Sequence, residues 1–311
     1  MKLVDGVLHS YSGLIPEYNK NIAQFRTLAT SLGEEFSLLD YRYFVIQMLY
    51  LVEYADYNSQ NKLGNGLVNG QSAKALIAET GVNRIIVSST NLYVGRIVGI
   101  GTDWASNSVA KDRKITKVEN YSDGNVSGKV IYFDGDPVNI AVNNTIWGSG
   151  QESGQCDELG MKSGCLINDS IHSMIYRGIE NIFGNMWQFV DGMNIKDRIM
   201  YLCKDHTKYK SDLFESPYKK LGYTNGDTNG YVKTLGFDPD EPLARFPIEV
   251  GAGASSGMSD YYWQNPGNRI ALVGGGFDGG ASCGFWCWNL SGDSSFAYVH
   301  RGCRVLIDNQ K

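Results

Sequence analysis

Two cysteines, Cys283 and Cys287, with three residues between them, lie in the aromatic run Cys283-Gly-Phe-Trp-Cys-Trp-Asn-Leu290. Structural zinc sites favour a two-residue gap and a second ligand pair, and this run has neither. The reactive alternative is a redox or copper-binding thiol pair, which needs thiolate character and access. On a strand, side chains four positions apart share a face, so the pair is expected to point the same way. The histidines His9, His172, His206 and His300 show no metal-ligand spacing, and His300, beside Tyr298 and Arg301, suits a surface contact. The run Gly251-x-Gly253-x-x-x-Gly257 follows a strand-like stretch but leads into Met258-Ser-Asp-Tyr-Tyr-Trp263, a poor helix start. A pyrophosphate loop must open a helix, so that amides and the helix dipole face the phosphates. Gly95-x-x-x-Gly99-x-Gly101 fails the same requirement. No Gly-x-Ser-x-Gly elbow is present, and no carboxylate pair is marked as catalytic. The expectation is a chain with no catalytic residues, no metal and no cofactor.

What the sequence offers instead is contact area. Residues 246–307 hold ten aromatic side chains amid Gly and Ser, and no lysine. Tyr and Trp supply large, stiff contact surfaces at low entropy cost, and Ser, Gly and Asn supply adaptable hydrogen bonds. The expected ligand contacts are Tyr261, Tyr262, Trp263, Asp278, Ser282, Phe285, Trp286, Phe296, Tyr298 and His300. Along a strand only alternate residues can face a ligand, so this set is expected to divide.

The chain has 311 residues, a formal net charge of −5 and 42% hydrophobic residues, enough for one large domain or two ordinary ones. The acidic balance and the lack of clustered Lys/Arg argue against nucleic acid as a partner. The longest apolar run, Tyr43 to Tyr54, is broken by Gln47 and Glu53 and is too short to span a bilayer, so no membrane partner is expected. Met1-Lys-Leu-Val-Asp-Gly lacks the apolar centre of a signal peptide. The six cysteines are therefore expected to be reduced and mostly buried.

Several elements are expected to position these residues. A helix is predicted over Ser37 to Asp56, with Ser37 as N-cap and Leu38, Tyr41, Val45, Met48, Val52 and Ala55 on one buried face, while Ile46, Leu49 and Tyr50 extend the apolar surface and point to burial on more than one side. Strands are predicted at Ile85–Val87, Leu92–Ile100, Ile115–Val118 and Val130–Phe133, with turns at Ser122–Asn125 and Asp134–Asp136. Gly148 to Ser170 and Thr224 to Gly230 read as loops. Residues 1–30 read as an N-terminal segment or linker, or equally as an integral part of the fold, in which Ile22 to Leu32 could make a short helix.

Gly184-Asn-Met-Trp-Gln-Phe189 resembles the Gly-Asn-Val-Trp-Glu-Trp signature of the formylglycine-generating-enzyme branch of the C-type lectin fold. Three further pieces fit in order. The helix at Ser37 to Asp56 resembles that fold's first core helix, Arg269 to Phe277 its Arg-Gly-Gly-Ser-Trp strand, and Gly302-Cys-Arg-Val305 its closing Gly-Phe-Arg-Cys-Val strand. The resemblance covers about residues 35–60 and 175–307, with about 60–175 as a β-rich insertion. It implies a single α+β, C-type-lectin-like domain over 31–311, with short strands, few helices and a ligand-binding segment at about 246–307.

Within that fold the chain is most similar to phage and prophage tail receptor-binding proteins, including the variable proteins of diversity-generating retroelements such as the major tropism determinant. The helix end Leu-Val-Glu-Tyr-Ala-Asp-Tyr-Asn-Ser-Gln60 and Tyr176-Arg-Gly-Ile-Glu-Asn-Ile-Phe-Gly-Asn185 are typical of them. In such proteins the last segment carries diversified contacts on a rigid frame. The mutagenesis acts on adenines, which turns Asn codons into the Tyr, Ser, Asp, His, Gly, Phe and Cys types abundant here. The resemblance thus implies a virion tail protein made in the bacterial cytoplasm. Its partners would be a host cell-surface protein or glycan and other virion tail proteins, and homo-oligomers would be allowed, since related tail proteins can be trimers. Gln188 stands where the family has Glu, which weakens any inherited calcium site. Cys283 and Cys287 fall in the region where the formylglycine enzymes use two cysteines, but with a different spacing. An oxidase of that type and a structural virion protein without a receptor are the alternative readings.

Overall fold

The computed structural model describes residues 1–224, 229–255 and 258–308. The expected loop over Thr224–Gly230 falls partly, and Gly257 of the glycine run wholly, outside the described residues. The chain is β-rich with three α-helices, an α+β composition, and it forms two compact units. One comprises Met1–Val68 with Ser153–Lys311, and the other Asn69–Glu152.

The smaller unit is built on a six-stranded sheet. Its strand order is Ser72–Lys74, Thr145–Gly148, Ile97–Gly101, Ala110–Ser122, Ser127–Phe133, Arg84–Val87. Val98, Ile100, Ile115, Ile131 and Phe133 bury themselves in its own core. Three of the four predicted strands lie within observed ones. The fourth, expected from Leu92, begins only at Ile97, because Arg96 donates its amide back to the Tyr93 carbonyl in a turn. At the predicted turn after Ser122, the Asp123 carboxylate accepts the amides of Asn125 and Val126.

The larger unit is organised by a nine-stranded sheet. The strands run in the order Lys219–Thr224, Ile199–Leu202, Trp187–Lys196, Asn268–Gly274, Gly284–Leu290, Tyr261–Gln264, Gly230–Asp238, Glu241–Ala252. The short strand Arg301–Gly302 adds in parallel beside Trp187–Gln188. The polypeptide enters the sheet through Gly184 and Asn185, both at positive φ (72° and 56°), so the Gly-Asn pair forms a turn. On one face of the sheet the helix Tyr43–Tyr54 meets a ring-rich core. Trp288 sits there among Tyr43, Phe44 and Phe246, with ring centres 5.2–5.8 Å apart. On the other face the helix Ile22–Thr30 packs Phe25 against Phe189. Asn21 and Gln24 cap this helix reciprocally, and Arg26 grips Asp191 with two bonds of 2.7 Å. Residues 1–30, expected as a segment or linker or as part of the fold, thus contribute a core helix to the larger unit.

The helix predicted over Ser37 to Asp56 begins only at Tyr43. Ser37 is no cap. It lies in a strand, Phe36–Leu38, paired with Val305–Ile307. Asp40 accepts the Arg42 amide ahead of the first turn. The buried face also differs, for it carries Tyr43, Phe44, Gln47 and Tyr50, whereas Val45, Leu49 and Val52 face solvent. Rings bury more area than Val or Leu, and the aromatic stripe turned inward.

Candidate functional site

Strand Tyr261–Gln264 alternates between half-buried and buried positions. Tyr261 and Trp263 turn outward, while Tyr262 is fully enclosed against Phe246. The outward rings continue a row across the sheet. Tyr231 meets Tyr261 edge-on at 5.0 Å, Tyr261 lies 4.4 Å from Trp263, and Trp263 meets Trp187 edge-on at 5.6 Å. Trp187 reaches toward Asp278 across Gly276, where an added Cβ would come within 3.1 Å of both side chains. The exposed Asp278 therefore stands at the end of this row.

A second group of rings joins at the strand Arg301–Gly302. Arg301 is the register partner of Trp187, so the two side chains share a face. The Phe296 and Tyr298 rings stack at 6.0 Å, Tyr298 meets His300 at 4.8 Å, and His300 meets Phe277 at 6.2 Å. A turn displays Phe296: its amide bonds to the Asp293 carbonyl, and the Asp293 carboxylate accepts from Ser295. Burial, and then the charge of Arg301, push the His300 imidazole down to about 3, so the ring is neutral at ordinary pH. The Arg301 guanidinium lies 3.5 Å from the centre of the Phe296 ring, and it is pushed down to about 9 by burial.

The structure thus brings together Tyr261, Trp263, Asp278, Phe296, Tyr298 and His300, and adds Tyr231, Trp187 and Arg301. Ser282 is half-buried in a short 3-10 turn, Gly280–Ser282, two residues before the strand Gly284–Leu290. Tyr262, Phe285 and Trp286 are corrections, since all three have no exposure and belong to the core under the helix Tyr43–Tyr54. Strand alternation removes Tyr262. A bulge removes the other two.

That bulge also separates the cysteines. Val273 pairs with Trp288 but Gly274 with Gly284, which leaves three extra residues, Phe285 to Cys287, on one side of the ladder. Their backbone groups are satisfied by side chains from elsewhere in the unit. The Phe285 carbonyl accepts from Tyr43 and Gln47, the Phe285 amide donates to Ser59 and the Trp286 amide to Asp260, while Gln60 donates to the Cys283 carbonyl. The parity of the strand is broken, and Cys283 and Cys287 enter different core clusters instead of sharing a face. Both are free and fully buried, and burial first of all holds both thiols protonated.

Gln188, where a calcium-supporting Glu stands in the resembled family, is fully engaged. Its amide nitrogen donates to the carbonyls of Asn181 and Ile182, and its oxygen accepts from Arg304. A carboxylate could not make the first two bonds. A cleft of about 470 Å³ opens beside this pair, lined among others by His9, Tyr11, Asn181 and Arg304, and none of the expected contacts lines it. Among the described residues no group of His, Cys, Asp or Glu is placed to hold a metal ion, and no helix is long and apolar enough to cross a membrane.

No family model matches the chain, and no curated protein matches it either.

Proposed function

We propose that this chain is a ligand-binding protein of C-type-lectin-like fold and not an enzyme. It would act as a phage or prophage tail component whose C-terminal segment recognises a protein or glycan on the host surface. The observation that carries this reading is the row of half-exposed rings, Tyr231, Tyr261 and Trp263, with Phe296, Tyr298 and His300 beside Arg301, on a sheet backed by helices on both faces. Such rings give area, a rigid frame lowers the entropy cost of presenting them, and Asp278 supplies polar specificity. The order of elements supports the fold assignment: core helix, Gly-Asn turn into Trp187, the strand from Asn268, and the closing strands Arg301–Gly302 and Val305–Ile307. Diversification by a retroelement is part of the proposal, because the outward positions can change type without entering the core.

The test is binding to intact host bacteria. Tyr261→Ala with Trp263→Ala should weaken association tenfold or more in a protein that still unfolds cooperatively, with its midpoint lowered by the loss of the Trp263 packing against Trp187. Unchanged binding by a folded double variant would remove the site from this face.

A further inference from the structure

The ring face contains a charge without a counter-charge. Arg301 is 4% exposed, and among the described residues its Nε and Nη1 atoms have no hydrogen-bond partner. Among the described residues no carboxylate pairs with it, and its neighbour His300 is uncharged. Arg96 in the smaller unit is likewise buried, with Nη1 and Nη2 unpartnered among the described residues and its pKa lowered by burial, but the partly exposed arginines behave differently. Arg42 and Arg84 are gripped by the carboxylates of Asp40 and Glu79, which raise their pKa, whereas burial lowers that of Arg301. The Phe296 ring offsets part of the desolvation cost through the cation–π contact, but it supplies no acceptor to the fork of N–H groups. A buried guanidinium with idle donors is costly unless something else supplies the acceptors, and a carboxylate fits that fork with two parallel bonds.

Resting on the binding role proposed for this face, we propose that Arg301 is its anion anchor and that the ligand is an acidic sugar, with its carboxylate on Arg301 and its ring against the flanking aromatics. Phe296 sits on a surface turn, and displacement of its ring uncovers Nε and Nη1. The rings on either side, Trp263–Tyr261 and Tyr298–His300, offer the flat apolar walls on which the C–H face of a sugar ring packs. A neutral sugar would use the walls and leave the guanidinium idle, and an acidic peptide would use the guanidinium with less need of flat walls.

The experiment compares oligosaccharides that contain hexuronate or end in sialate with the same molecules after reduction of the carboxyl group to an alcohol. A glutamate-rich peptide serves as a third probe, and titrations on the full chain follow indole fluorescence. At least one acidic oligosaccharide should bind tenfold or more tightly than its reduced form. Arg301→Gln should abolish that preference, and Arg301→Lys should retain part of it. Equal affinity for the two forms, binding of none of the acidic oligosaccharides, binding of the peptide alone, or a preference that survives Arg301→Gln would each overturn the assignment. If Arg301→Gln does not fold, the comparison of acidic and reduced forms on the wild type and Arg301→Lys decides. Loss of host-cell binding in the Tyr261/Trp263 variant without any acid preference would sink this inference and leave the binding face standing. Unaltered cell binding in that variant would instead remove the face itself.

Discussion

Asp260 carries a carboxylate with no exposure in the core of the larger unit. One oxygen accepts the Trp286 amide at 2.7 Å, and the other has no partner among the described residues. Burial pushes this group up to about 7, against the pull of that single amide. The sign of its linkage is the reverse of an ordinary paired carboxylate. Below the unfolded value near 4 both states hold the proton and nothing is lost. Above that value the unfolded chain gives up its proton first, so stability falls as pH rises and stops falling once the folded group ionises near 7, at a rate of up to about 1.4 kcal/mol per pH unit. Asp260→Asn keeps an acceptor for the Trp286 amide and removes the titration. Denaturant unfolding should show the Asp260→Asn variant gaining on the wild type between pH 5 and pH 8; a difference independent of pH would mean that Asp260 does not titrate in this range. Nothing in the sequence marks Asp260, because its environment comes from the distant bulge at Phe285 to Cys287. Arg301 was equally silent: its neighbours Tyr298 and His300 were legible as contacts, but that its Nε and Nη1 lack partners among the described residues is a property of the folded surroundings.

At the level of elements, the strands of the smaller unit and the Gly184-Asn185 turn were readable, since alternation and turn residues act locally. The helix Tyr43–Tyr54 was readable in existence and not in orientation. Its sequence is apolar on several sides, and the choice of Tyr43, Phe44 and Tyr50 as the inward face depends on the rings of Trp288 and Phe285 that meet them. The same division should appear in stability measurements. Trp288→Ala, which leaves a hole among Tyr43, Phe44 and Phe246, should cost about 3–5 kcal/mol. Val52→Ser, on the face where Val52 is 81% exposed, should change stability by no more than about 0.5 kcal/mol. Equal losses at the two positions in urea titrations would contradict the observed orientation. Of the ten expected contacts, Tyr262 was separable from Tyr261 and Trp263 by alternation alone, but Phe285 and Trp286 were not, because a bulge of three residues is invisible to a period-two reading.

For the molecule as a whole, the six cysteines are free, and their accessibility follows the division between core and surface. Cys283 and Cys287 should resist a thiol reagent in the native protein, with or without copper, and react only at the rate of global unfolding, whereas the half-buried Cys165 should react earlier. Rapid native labelling of Cys283 or Cys287, followed by mass spectrometry, would reopen the case for a reactive pair. Each unit has its own core, and the ring face is built from residues 187–301 of the larger one.

The bulge in Gly284–Leu290 carries a last implication. Its spare backbone groups are tethered by Tyr43, Gln47, Ser59, Gln60 and Asp260, none of which belongs to the outward row of rings. The residues that hold the bulge and those that meet the outside world are thus two separate sets. A lineage can reshuffle its outward side chains and acquire new tastes in ligand while the architecture beneath goes on folding as before.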